Sequence, residues 1–107
     1  MASRAVYALT RIATPEAVDA IDEASASPRG EVRVAVAASA NLLPVSAADQ
    51  ILTRLLADPD VGVQKYAIGS VTPDSDASLK QLVIDIADSD DAVLRGRAES
   101  RARDLGL

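Results

Sequence analysis

The sequence predicts an all-α, right-handed superhelix of three helical hairpins and a C-terminal capping helix, in a single domain over residues 1–107. Three observations lead there. First, a motif recurs. Ser27-Pro28-Arg29-Gly30-Glu31-Val32-Arg33 aligns with Asp58-Pro59-Asp60-Val61-Gly62-Val63-Gln64 at a shift of 31 places, and the stretch from Asp88 to Leu94 follows at a shift of 30. A fixed spacing of this size marks a repeat architecture, in which each unit needs its neighbour to cover its apolar side. Second, between the copies apolar residues return at steps of three and four, the period of an amphipathic helix. Third, the chain has no Phe or Trp. A core of Ala, Val, Leu and Ile removes little area per side chain, at about 25 cal/mol per Å², so helices must approach closely.

Each element has a local reason. Ser3 is placed to cap a first helix reaching about residue 13, with Val6, Leu9 and Ile12 (and Ala5) on one side. Thr14-Pro15 pairs a capping residue with Pro at the first helical position, opening a second helix over 15–26. That helix turns Ala17, Val18, Ile21 and Ala24 inward and Asp19, Asp22 and Glu23 outward. The run Val32-Arg33-Val34-Ala35-Val36 alternates as a strand would, but Ala37, Ala38 and Ala40 follow without a turn. A third helix over 31–42 is therefore predicted.

Ser46, with Asp49 three residues on, is read as the cap of a fourth helix whose stripe is Ala48, Ile51, Leu52, Leu55 and Leu56. Asp60 caps a fifth helix to about residue 71, with Val63, Ala67, Ile68 and Val71 inward. A sixth over 76–87 buries Leu79, Leu82, Val83 and Ile86, and Asp90 caps a seventh over 91–104. The repeats are then 3–26, 28–57 and 59–87, with a half-repeat at 89–106. At a shift of 30, Arg97 and Arg101 fall in the apolar columns Val36/Ala67 and Ala40/Val71. A polar outer face is what the last unit of an array requires. A piece of a longer array is the competing explanation.

The motifs Asp58-Pro59-Asp60…Val63 and Val32-Arg33…Ala37 resemble the start of a HEAT repeat, above all the short kind of about 30 residues found in the phycobilin-lyase group and in many bacterial proteins. Gln64 and Leu94 depart from the family's Val-Arg, and Arg29 stands where Asp caps elsewhere. The resemblance covers nearly the whole chain and implies that the second helix of each hairpin lines a concave face. It is informative about fold and weak on function, because one fold carries many activities.

On that face the sequence places the columns Asp19/Gln50/Lys80, Asp22/Thr53/Ile84 and Glu23/Arg54/Asp85, the last alternating acid, base, acid. Candidate partner-binding residues are Asp19, Glu23, Gln50, Thr53, Arg54, Lys80, Ile84 and Asp85. The plainer reading is a solvated face with exposed ion pairs, each contributing about 0–1 kcal/mol. Arg95, Arg97, Arg101 and Arg103 form a basic cap with Glu99 among them. HEAT-type DNA-repair proteins present such residues to phosphate, but here the bases sit on one helix without an aromatic for stacking. Tyr7 and Tyr66 border the convex face, where tyrosines serve as interface anchors or pack at a helix edge.

Sixteen acids against eleven bases give a net charge of −5, which disfavours a general binder of nucleic acid or anionic membranes. The chain has no Cys and no His. That removes disulfides, thiolate chemistry and the commonest general base and metal ligand, and with them the His-Glu pairs of HEAT-type metal hydroxylases. Asp19 with Glu23, and Asp22 with Glu16, lie on a solvent face with nothing to raise one pKa for acid–base work. Asp88, Asp90 and Asp91 lack the spaced ligands and turn glycine of a calcium loop. No segment reads as a signal peptide or a bilayer span, so a cytoplasmic protein is expected. No catalytic residue, cofactor or metal is expected. The functional expectation is a non-catalytic scaffold that binds a protein partner on the concave face. A lyase-like or regulatory unit of a larger enzyme system is the alternative, and weak nucleic-acid binding by the arginine helix comes third.

Overall fold

The computed structural model describes residues 3–107. Within them the chain forms α1 (Ser3–Ile12), α2 (Pro15–Ala24), α3 (Gly30–Ser39) with a 3-10 turn at Ala40–Leu42, α4 (Val45–Leu55), α5 (Val61–Ser70), α6 (Ala77–Ile86) and α7 (Ala92–Asp104), and no strand. The alternating run at 32–36 is helical. α3 lies between α1 and α5, and α5 between α3 and α7, so the odd-numbered helices make a row. α2 packs on α1, α4 reaches α3 and α5, and α6 packs on α7 and touches α4. The thinnest extent, 17 Å, leaves room for two helix layers at the usual separation of about 8–10 Å.

Capping fixes most helix starts. The Thr14 hydroxyl accepts from the Ala17 N–H at 3.2 Å with Pro15 behind it. Asp60 accepts from Gly62 and Asp76 from Ser78. Ser46 is not a cap: α4 starts one residue earlier, behind Pro44, with no side-chain cap. Ser3 is itself the first helical residue, and the residue before it lies outside the described ones. Arg29 precedes α3 without capping it and instead pairs with Glu31 at 2.6 Å.

A 31-residue period runs through all three connections that follow the even-numbered helices. The side chains of Ser27, Asp58 and Ser89 each accept from the backbone N–H two residues on, at 3.2, 2.9 and 3.1 Å. The columns Ile21/Leu52/Val83, Val32/Val63/Leu94 and Val36/Ala67/Ala98 are all buried. The largest of these side chains each contribute about 1.5–3 kcal/mol by leaving water.

The seventh helix therefore sits one residue later than the sequence placed it. Asp91, not Asp90, is the cap, its Oδ1 accepting from Val93 and Leu94 at 2.9 and 3.0 Å. Leu94 is buried and Val93 is 54% exposed. Ala98 and Ala102 occupy the apolar columns, and Arg97 and Arg101 align with Ala35/Tyr66 and Ser39/Ser70 instead. The polar-column reasoning for a cap falls with that register. On α1, Val6 and Thr10 are buried, the Thr10 hydroxyl returning its hydrogen to the Tyr7 carbonyl, while Ala5 and Ile12 are exposed. Ala13, at φ +51°, makes the turn between α1 and α2.

Candidate functional site

The outward residues of α2, α4 and α6 come from one rule. With positions 17, 21 and 24 buried in α2, and their counterparts 31 and 62 places on in α4 and α6 turned inward, the opposite side of each helix must face solvent. Exposed there are Asp19, Gln50 and Gln81; Asp22, Thr53 and Ile84; and Glu23, Arg54 and Asp85. Gln81 replaces Lys80 in the first row. Lys80 lies one position round the helix, half-buried, its Nζ donating to the Pro73 carbonyl at 2.7 Å. The other candidate partner-binding residues fall on this face as expected.

The predicted ladder Glu23/Arg54/Asp85 does not form. Arg54 reaches back diagonally: its Nη1 lies 3.5 Å from Asp22 Oδ1, 3.1 Å from the Asp22 carbonyl and within hydrogen-bond distance of Ser25 Oγ. Ser25 is almost fully buried, so its hydroxyl gives Arg54 a fixed partner that an exposed glutamate does not. Asp85 accepts from Gln81 on its own helix at 3.0 Å. A second link joins α4 to α6, where Asp49 Oδ2 accepts from the Asp76 N–H at 3.1 Å. Asp49 Oδ1 is buried without a partner among the described residues.

The basic helix is less free than its composition suggests. Arg101 donates through Nε and Nη2 to the Val71 carbonyl, and Arg95 donates to the Ser89 carbonyl at 3.2 Å. Arg97 and Arg101 share a small cleft with Asp104. Arg103 takes part in no ion pair among the described residues and lines an open groove of about 470 Å³ between α6 and α7. Ile84, Ala87, Glu99, Ala102 and Leu107 complete its walls.

Two features of the molecule went unread in the sequence. Leu105-Gly106-Leu107 closes α7 in a Schellman motif: the Leu107 N–H bonds to the Ala102 carbonyl at 2.8 Å and the Gly106 N–H to the Arg103 carbonyl at 3.1 Å. Gly106, at φ +75°, is the left-handed residue such a motif needs. A Gly two residues past the last helical position was the available signal. The motif draws Leu107 back over Ala102 and into the groove. Arg33–Asp58 is the other, a pair at 2.8 Å with side chains 16% and 7% exposed. Its partners are 25 residues apart, beyond the reach of helical spacing rules.

Tyr7 and Tyr66 are a little under half exposed, and Lys65 Nζ lies 5.7 Å from the Tyr66 ring centre. Among the described residues, no helix is long and apolar enough to cross a membrane, and no three His, Cys, Asp or Glu side chains converge for a metal ion. Compared with known proteins, the chain matches no protein family, no curated protein and no solved structure.

Proposed function

We propose that the chain is a HEAT-like α-solenoid that acts as a non-catalytic interaction module, docking a protein partner on the outward face of α2, α4 and α6. The row of odd-numbered helices and the 31-residue recurrence of turn bonds and core columns support the repeat reading. One observation carries the docking reading. Three rows of exposed side chains stand at equivalent positions on three successive helices, and Arg54 and Asp49 tie those helices together. A face built this way displays its side chains at fixed spacing, so binding orders no loop and loses little conformational entropy. The mixed row chemistry, acids at α2 and Ile84 at α6, suits a partner with a basic end and an apolar end. Nucleic-acid binding by Arg95, Arg97, Arg101 and Arg103 ranks below this, because Arg95 and Arg101 already donate to backbone carbonyls.

A photo-crosslinking amino acid at Asp19, Gln50 or Gln81 tests it, with the same group at Tyr66 as the control. The expected result is one protein, identified by mass spectrometry, captured from all three outward positions and competed away by unlabelled chain. Equal capture from Tyr66, or none from the three, overturns the reading.

A further inference from the structure

We propose, given a protein partner docked on the outward face of α2, α4 and α6, that Arg54 anchors it by taking a carboxylate that stands between two of the partner's bases. Arg54 lies on the middle helix of that face, its side chain 49% exposed. Its Nη1 is already fixed. The Asp22 carbonyl accepts from it at 3.1 Å, Ser25 Oγ lies within hydrogen-bond distance, and Asp22 Oδ1 is 3.5 Å away. Nε and Nη2 donate to no described residue. The chain itself shows what that edge takes. Arg33 also gives Nη1 to a backbone carbonyl, that of Ser27, and closes Nε and Nη2 on the Asp58 carboxylate at 2.8 and 3.4 Å. Arg29 turns the same edge to Glu31 at 2.9 and 2.6 Å. A guanidinium held at one end and open along this edge is preorganised for a carboxylate, whose two oxygens match its fork.

The neighbours narrow the partner. Glu23 and Asp85 hold the positions equivalent to Arg54 on α2 and α6, and both are exposed. Glu23 takes part in no ion pair among the described residues, and the Asp85 carboxylate accepts only from neutral Gln81. The row therefore shows acid, base and acid to solvent, none of them spent on the next. Lys80 adds no base to it, since its Nζ is held by the Pro73 carbonyl. A segment with an acid between two bases complements such a row, whereas a polyanion meets Asp22, Glu23 and Asp85 around a single base. Packed helices stand about 8–10 Å apart, which sets the spacing of the row. A polyproline II segment rises about 3.1 Å per residue and returns to one side every third residue, so Lys-Pro-Pro-Glu-Pro-Pro-Lys carries its charges about 9 Å apart.

That peptide, acetylated and amidated, is the probe. Titrated into purified chain carrying isotope-labelled arginine, it is expected to shift the Nε–H signal of Arg54 and to leave that of exposed Arg97 on α7 in place. Gln in place of the peptide's Glu is expected to weaken binding by about threefold to tenfold, the effect of losing a half-exposed charge pair, with the chain itself unaltered. Glu in place of both Lys residues is expected to weaken it further. Arg54→Lys keeps the charge without the fork and is expected to abolish the preference for Glu over Gln. An equal shift at Arg97, a glutamine peptide that binds as well, or an acid-flanked peptide that binds as well overturns the proposal. So does inorganic phosphate that moves the Arg54 signal at a lower concentration than the peptide. Photo-crosslinking from Gln50 separates this proposal from docking as such. Capture lost in Arg54→Lys at an unchanged melting temperature supports the anchor, and undiminished capture overturns it while leaving docking in place. No capture by the unsubstituted chain overturns docking, and the anchor with it.

Discussion

Replacing Asp58 removes two interactions, of which the equivalent residues of the other units make only one. Its Oδ2 accepts from Arg33 Nε at 2.8 Å, and its Oδ1 accepts from the Asp60 N–H at 2.9 Å. Ser27 and Ser89 make only the second kind of bond. Asp58→Ser therefore isolates the ion pair, and Asp58→Ala loses both. Removing one partner of a buried pair costs about 3–5 kcal/mol. Arg33 keeps a bond to the Ser27 carbonyl at 2.8 Å and is 16% exposed, which puts the loss at the low end. The expectation is about 3 kcal/mol for Asp58→Ala, and about 2 for Asp58→Ser once a turn bond of about 1 is retained. At roughly 4–8 °C per kcal/mol for a domain of this size, Asp58→Ala lowers Tm by about 12 °C or more. Urea unfolding followed by circular dichroism measures this, with the midpoint moving and the slope unchanged. Arg33→Gln completes a double-mutant cycle, glutamine being the residue at the equivalent position 64, where it donates to the Leu56 carbonyl. A coupling above about 0.5 kcal/mol is expected. Equal losses for the serine and alanine variants, or strict additivity with Arg33→Gln, would refute the reasoning.

Three further outcomes can be checked by similar means. Leu94→Ala is expected to cost about 2–5 kcal/mol and Val93→Ala less than about 0.5, because only the first is buried; the reverse order would restore the 30-residue register. Gly96→Ala, within α7 where an added Cβ meets nothing within 4 Å, is expected to stabilise the chain by about 0.5–1 kcal/mol in the same unfolding assay. The Glu31 carboxyl is held below the ordinary 4.5 by a hydrogen bond from its own backbone, then by the hydrogen bond and charge of Arg29. A lowered carboxylate pKa means stability present above the unfolded value and lost as pH falls through the folded one. A carbon-detected titration is expected to find the Glu31 midpoint below 4.5, and Arg29→Gln to move it upward without restoring it fully.

The outward face was largely legible in the sequence. Seven of its eight candidate residues fall where the apolar stripes of α2, α4 and α6 put them, since burial of one side of a helix fixes the other. Lys80 was misplaced by the same one-residue slip that misplaced Val93, a shift of 30 where the chain uses 31. What those residues touch was not legible. Arg54 had acids on either side in its own column and took Asp22 and buried Ser25 instead, a choice made by the offset between α2 and α4. The groove was invisible for a related reason. Nothing in the sequence singles out Ala87 or Ala102, and only the packing of α6 on α7 leaves them partly open.

The sequence by itself determined the seven helices and the inward columns of α2 to α6, because capping, proline placement and apolar period act within one or two turns of chain. On α1 it put Ile12 inward where the fold buries Thr10. Tertiary structure alone decided the register of α7. Asp90 and Asp91 are equally able to cap, and Val93 and Leu94 equally apolar, so local energies do not separate the two settings. Burial against α5 and α6 does: it takes Leu94 and Ala98 inward and leaves Val93 in water.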